Sequence, residues 1–263
     1  MTSDRIDRGD GIELAFDHLA GRGPCVVFLP GFMSDMTGDK ATAIAAWCRA
    51  HGRACLRLDY SGHGASAGRF EDGTIGQWTD DALFLIDRFA SEEFVLIGSS
   101  MGGWIALNVA LCRRERVAAL VGIAAAPDMT ADLMWDTMAP PERAALERDG
   151  LLRVPSLYGG EQIITRRLIE EGRDHLLLHA PIPLHCPARL LHGQHDRDVP
   201  WETSVRLAAK LESPDVQITL IKDGDHRLSR PQDIALLIRT LASLLGEDGG
   251  QPLPVAGISP ANP

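Results

Sequence analysis

The sequence predicts an α/β fold: a mostly parallel, doubly wound sheet carrying a small helical lid. Three observations predict it. Short apolar runs alternate along the chain with amphipathic helical patterns, the arrangement of a parallel sheet covered on both faces. One run passes within a few residues, through FVLIGSSMGGWIAL at 94–107, into a helical pattern. The alternation is broken once, over residues 127–186, where the pattern predicts several short helical pieces and no strand.

Taken in order, IELAFDHLAG alternates apolar and polar residues as an antiparallel edge strand does. CVVFLPG at 25–31, CLRLDY at 55–60, FVLIGS at 94–99, VAALVGIAAA at 117–126, ARLLHG at 188–193 and VQITLI at 216–221 read as sheet strands. KATAIAAWCRAHG and QWTDDALFLIDRFA between them carry helical periodicity. In WIALNVALC, Trp104, Leu107 and Leu111 recur at helical spacing, as do Ile105, Val109 and Cys112. The insertion at 127–186 is expected above the C-terminal ends of the strands, where open α/β sheets bind ligands. EDGGQPLPVAGISPANP is rich in proline and glycine and reads as a disordered tail. That leaves residues 1–246 as a single domain with its lid at about 127–186, and 247–263 as the tail.

With 263 residues, 45% of them hydrophobic, the chain suits one globular domain with a sizeable core. A formal charge of -10 argues against a nucleic-acid surface. No apolar run is long enough to span a bilayer, and MTSDRIDRGDG has no apolar signal core, so a cytoplasmic, unprocessed protein is expected. The five cysteines include no C-x-x-C and no His/Cys cluster, so neither a metal nor any other cofactor is expected. Cys25, Cys48, Cys55 and Cys112 lie in apolar patterns where buried thiols are common.

The chemistry begins at Gly98, Ser100 and Gly102, which fit G-x-S-x-G between a strand and a helix. In such an elbow a tight turn presents the central serine, here Ser100, at the top of the sheet. Serine hydroxyl is a weak nucleophile until a base takes its proton, and the base needs an acid to fix its tautomer. On a fold of this kind the partners follow the serine in the order acid, then histidine. ARLLHGQHDRDVP supplies Asp196 as the acid, with Asp198 and Asp128 as competitors. VQITLIKDGDHRL supplies His226 as the base, with His192 and His195 as competitors that precede or abut the acid. An oxyanion needs two backbone donors. The N–H of Met101, directly after the nucleophile, and that of Phe32, after the strand ending at Pro30-Gly31, are the candidates. In DYSGHGAS at 59–66, Asp59 and Ser61 read as loop pins.

DYSGHGAS, GSSMGGW, LLHGQHDRDVPW and DGDHRL, together with LPGFMSDMTGDKA, resemble the α/β-hydrolase superfamily. More narrowly, they resemble its mitochondrial palmitoyl-protein thioesterases and acyl-glucuronide esterases and their bacterial relatives. The resemblance runs from about residue 22 to 244 and takes in SLYGG and LLLHAPIPLHCP. It implies an α/β-hydrolase fold, Ser100 as nucleophile, Asp196 as acid, His226 as base, and Phe32 and Met101 as oxyanion donors.

The expectation is a cofactor-free serine hydrolase that cleaves acyl thioesters or carboxylic esters, its substrate a small acyl ester or an acylated cysteine. Activity should fall at acid pH as an imidazole, with an ordinary pKa of about 6.5, becomes protonated. Met129, Leu133, Met134, Trp135 and Met138 fall near one helical face of the lid, where flexible thioethers suit an acyl chain; packing onto the core is the competing reading. A short-chain carboxylesterase and a hydrolase-fold binding protein without turnover are the alternatives in function.

Overall fold

The computed structural model describes residues 3–247 apart from 91, 157 and 158, so the tail expected at 247–263 lies, beyond Glu247, outside the described residues. Ten strands are described, β1 (Asp4–Asp7), β2 (Glu13–Leu19), β3 (Arg22–Leu29), β4 (Arg53–Leu58), β5 (Phe94–Ser99), β6 (Val117–Ile123), β7 (Leu151–Pro155), β8 (Glu161–Thr165), β9 (Ala188–Gly193) and β10 (Val216–Ile221). Eight of them form one sheet in the order β1-β2-β4-β3-β5-β6-β9-β10. β1/β2 and β2/β4 pair antiparallel, and every other neighbour in the sheet pairs parallel. β2 is therefore not the edge strand that its alternation suggested. β1 pairs outside it, Asp4 opposite Phe16 and Asp7 opposite Glu13. The segment DRID is too short to show a period, and its charges suit an exposed sheet edge.

The helices α1 (Asp39–Ala50), α2 (Ile75–Phe89), α3 (Met101–Cys112), α4 (Pro140–Asp149), α5 (Arg166–Gly172), α6 (Glu202–Lys210) and α7 (Pro231–Leu244) cover the sheet and build the lid. Ile44 and Cys48 of α1 pack with Leu237 and Leu241 of α7 in one core, on the Val26, Val95 and Val121 side of the strands. Trp78 and Leu85 of α2 and Trp104 and Leu107 of α3 fill the other, against Val27, Leu96 and Leu120. Alternate residues of each central strand feed opposite cores, as the two-residue side-chain period requires. Every residue of α3 from Met101 to Ala110 is buried, so the helix behind the elbow is enclosed on all sides. Cys112 ends that helix and is exposed, against the expectation of a buried thiol, because the apolar surroundings stop one residue before it. No helix among the described residues is long and apolar enough to cross a membrane.

The insertion between β6 and β9 differs from its expected all-helical character. Thr130–Trp135 is a π-helical turn, α4 follows, and β7 and β8 then pair as an antiparallel hairpin before α5. Two five-residue strands carry barely two periods of alternation. EQIIT also runs straight into the helix-forming RRLIEEG, which hides the boundary that Thr165 makes by capping the Leu168 N–H at 3.0 Å. The two ends of the insertion are tied together by Asp128, whose carboxylate accepts the N–H groups of Leu177 at 2.7 Å and Leu178 at 2.9 Å.

Candidate active site

β5 ends at Ser99 and α3 begins at Met101, so Ser100 alone makes the turn, at φ 56° and ψ -121°. A non-glycine residue in that region stores strain that persists only where its surroundings hold it. Here they do. The Ser100 N–H donates to the Ile123 carbonyl at 2.9 Å, and its own carbonyl accepts from Gly103 at 2.8 Å and Ala126 at 3.1 Å. A Cβ at Gly98 would strike the Gly102 carbonyl, and one at Gly102 would strike those of Leu29 and Pro30. The glycines of the elbow thus let strand, helix and β3 meet with no side chain between them.

His226 lies in the loop after β10 and Asp196 in the loop after β9. Their loops are joined where the His195 N–H donates to the Gly224 carbonyl at 2.8 Å, and a Cβ at Gly193 would collide with Gly224. Through that junction His226 Nδ1 sits 2.8 Å from Asp196 Oδ2, and its Nε2 sits 3.0 Å from Ser100 Oγ. The Asp196 side chain is enclosed, with an exposure of 0%. Burial pushes its carboxyl up, but hydrogen bonds from His192 and His226 outweigh that and hold it well below the usual carboxylate range. Its Oδ1 accepts the N–H groups of Asp198 at 2.9 Å and Val199 at 2.8 Å.

The competing residues fall elsewhere in the same neighbourhood. Asp198 places a carboxylate oxygen within 4.8 Å of the Asp196 and His226 ligand atoms, but the hydrogen bond to His226 Nδ1 belongs to Asp196. Asp128 spends its carboxylate on Leu177 and Leu178. His195 is exposed, whereas His192 is buried behind Asp196.

Over Ser100 passes the chain at Gly31, where an added Cβ would lie 3.2 Å from the Ser99 carbonyl and 3.3 Å from Ser100 Cβ. The next residue, Phe32, is held by its ring, edge-on to Phe70 at 5.0 Å and to Trp78 at 6.2 Å between centroids. Tyr60 donates its hydroxyl to the Pro30 carbonyl at 3.2 Å, and Asp59 accepts the Met36 N–H at 2.7 Å and the Ala65 N–H at 2.8 Å, fixing the loop from both ends. Among the described residues the Phe32 N–H has no backbone acceptor. The Met101 N–H belongs to the first turn of α3, whose donors lack intrahelical partners. The two amides thus come from different elements beside Ser100, Phe32 from the loop after β3 and Met101 from the start of α3.

These groups open into a cavity of about 670 Å³. Met129, Leu133 and Met134 of the lid line it, the two methionines also packing into the core, whereas Met138, as buried as Met134, packs into that core and is absent from the lining. Trp135 is likewise outside the lining, its ring covered by the Arg143 and Arg173 guanidiniums at 5.1 and 5.5 Å. The π-helical turn is the reason. Its Asp136 N–H reaches back to the Ala131 carbonyl, and that wider turn rotates later residues off the face that ordinary helical spacing assigns them. Sequence reasoning missed the hairpin residues Ser156, Glu161 and Gln162, together with Met33 and Lys40, all of which line the cavity. The segments that carry them stand within the resemblance, but their residue types alone mark no ligand role. Lys40 donates to the Arg227 carbonyl and, at 3.4 Å, to Ser229 Oγ; burial, aided by Arg227, pushes its ammonium down to about 8.

The family profile described as "Serine aminopeptidase, S33" matches residues 23–171. The chain is 41% identical over 242 residues to the human mitochondrial palmitoyl-protein thioesterase ABHD10, covering 91% of this chain and 79% of that one. The solved structure of mouse alpha/beta hydrolase domain-containing protein 10 superposes with a TM-score of 0.87 at 39% identity, over 94% of this chain and 99% of the mouse chain. A protein from Agrobacterium vitis S4 superposes at 0.88 with 38% identity, over 92% of this chain and 98% of that one. With the sheet order, the elbow and the intervening lid, these similarities establish that the chain belongs to the α/β-hydrolase family, among the hydrolases of the ABHD10 type.

Proposed function

We propose that the protein is a serine hydrolase cleaving long-chain acyl thioesters, and related acyl esters such as acyl glucuronides, through Ser100, His226 and Asp196. The observation that carries this reading is the continuous relay from Asp196 through His226 to Ser100, at 2.8 and 3.0 Å, ending on a serine in strained backbone geometry. His226 Nε2 takes the Ser100 proton as Oγ attacks the acyl carbonyl. The oxyanion forms against the Phe32 and Met101 amides, the kind of interaction that contributes most to acyl transfer. His226 then returns the proton to the leaving thiol or alcohol, and water deacylates the enzyme through the same imidazole.

The mixed lining of the cavity suits a substrate with an apolar acyl group and a polar leaving group. Met33, Met129, Leu133 and Met134 supply apolar lining, while Lys40, Glu161, Gln162 and Arg197 supply polar lining. The volume lies within the range of small-molecule sites. The human relative's thioesterase name adds to the case for a thioester substrate.

The test is turnover of palmitoyl-thioester and p-nitrophenyl-ester series of varied chain length by wild type and Ser100→Ala. Turnover that favours the long thioesters and is lost in Ser100→Ala is expected. Activity confined to short oxygen esters would replace this reading with a short-chain carboxylesterase. No turnover and no labelling of Ser100 by a fluorophosphonate would leave a binding protein.

A further inference from the structure

Asp196 Oδ2 meets two imidazoles, not one. Besides His226 Nδ1, it lies 3.1 Å from Nε2 of His192, four residues earlier at the end of β9. His192 has 0% exposure. Its Nε2 is also 3.0 Å from the Val199 carbonyl, which can only accept, so Nε2 carries a hydrogen and shares it between Val199 and Asp196. The opposite nitrogen, Nδ1, is 2.7 Å from the hydroxyl of Ser204 on α6, itself 1% exposed. Both ring nitrogens are therefore occupied, and the ring has no freedom to flip.

The consequence is geometric and electrostatic. The Asp196 carboxylate receives four N–H groups: two backbone amides on Oδ1 and two imidazoles on Oδ2. That set fixes the plane of the carboxylate, and the shared oxygen divides its negative charge between two donors. A buried histidine that only filled space could make its hydrogen bonds anywhere. This one makes its bond to the oxygen that orients His226.

We infer that His192, seated by Ser204, is a positioning residue for the reaction: it holds Asp196 in the rotamer that meets His226 and moderates how strongly that carboxylate supports the imidazolium. This rests on the proposed role of Ser100, His226 and Asp196. Charged groups near the cluster include Asp198, within 4.8 Å of Asp196 and His226, Arg197 in the cavity lining, Asp225 beside His226, and Lys40, whose ammonium donates to the Arg227 carbonyl.

His192→Phe keeps the ring and removes both nitrogens; His192→Gln restores an N–H and an oxygen at about the same separation. Each is assayed beside wild type and Ser100→Ala for kcat, KM and the pH profile of kcat/KM, with folding checked by circular dichroism and urea denaturation. His192→Phe is expected to lower kcat about ten- to a hundredfold, the range for losing a hydrogen bond to a charged group, with little change in KM. The acidic limb of its profile moves toward neutral pH, because an Asp196 relieved of one donor supports the imidazolium more strongly. His192→Gln recovers most of the kcat and returns the limb toward wild type. A folded His192→Phe with wild-type kcat and pH profile, or equal losses in Phe and Gln, overturns the inference. If His192→Phe is unfolded, Ser204→Ala, which removes the hydroxyl that seats the ring, is read in its place: a lowered kcat with the limb displaced is expected, and wild-type values of both overturn the inference. Activity that survives Ser100→Ala instead overturns the hydrolase reading beneath it.

Discussion

Ser100 occupies backbone space that a side-chain-bearing residue rarely adopts, and the glycines at 98 and 102 make this possible by removing Cβ atoms that would meet carbonyls. Gly102→Ala should therefore lower stability by roughly 1–3 kcal/mol or more, the cost of forcing atoms into a packed interior, and should reduce activity as the elbow shifts. A urea midpoint that matches wild type would show that the backbone yields without cost. Asp196 makes a second residue-scale test. Asp196→Asn keeps the shape but changes which atoms accept, so the imidazole loses its orienting partner and kcat should fall by roughly 10³–10⁴ while the fold persists. Retention of most of the activity would transfer the acid's role to Asp198, whose carboxylate stands close by.

At the scale of elements, the lid is held at its base by Asp128 and divided along its length between cavity and core. Asp128→Ala removes the acceptor for two backbone donors, each bond to a charged group contributing about 1.5–3 kcal/mol, and should loosen the insertion at both ends. Faster proteolysis between 127 and 186, with the sheet intact by circular dichroism, is the expected sign. The lid methionines should separate by function. Both truncations lower stability, since both side chains pack in the core, but only Met134→Ala also enlarges the cavity and shifts the preferred acyl length, because Met138 is outside the lining. An identical effect of the two substitutions on the length profile would contradict that division. The helical spacing of MTADLMWDTM could not reveal it, because only hydrogen bonding in three dimensions turns Thr130–Trp135 into a wider π-helical turn.

At the scale of the whole molecule, the core that holds Trp78 carries a titratable group that couples stability to pH. His63 is packed against Phe70 at 5.0 Å and Trp78 at 4.9 Å between centroids, its Nε2 has no partner among the described residues, and burial pushes its imidazole from 6.5 down to about 4. Between those values the unfolded chain holds a proton that the folded one does not. The contribution to stability is thus complete above pH 6.5 and is lost as pH falls to about 4, by roughly 3 kcal/mol at 1.36 kcal/mol per unit. Asp59 and Asp81, raised by burial, work in the opposite direction as pH falls toward the ordinary carboxylate value. Comparing wild type with His63→Phe isolates the histidine. The acid loss of urea stability should be smaller in the variant, and equal slopes would show that His63 does not titrate in this way.

What the sequence by itself determined lies in its local patterns. Apolar runs of strand length placed β5, β9 and β10 at their observed bounds, and G-x-S-x-G between strand and helix singled out Ser100, because buried parallel strands and a tight elbow each impose a short-range residue pattern. Chain order then pointed to Asp196 and His226 without showing that they meet. Only the tertiary structure decided what depends on distant contacts: that β1 covers β2, that the insertion contains a hairpin, and which lid side chains face the cavity. The second imidazole on Asp196 belongs to the same class. In sequence His192 reads only as a competitor for the base that precedes the acid, and it acquires its positioning role because Ser204 and Val199 fold back to fix its ring against Asp196. Periodicity records what a segment buries, but which partner it buries it against is set by the packing of the whole chain.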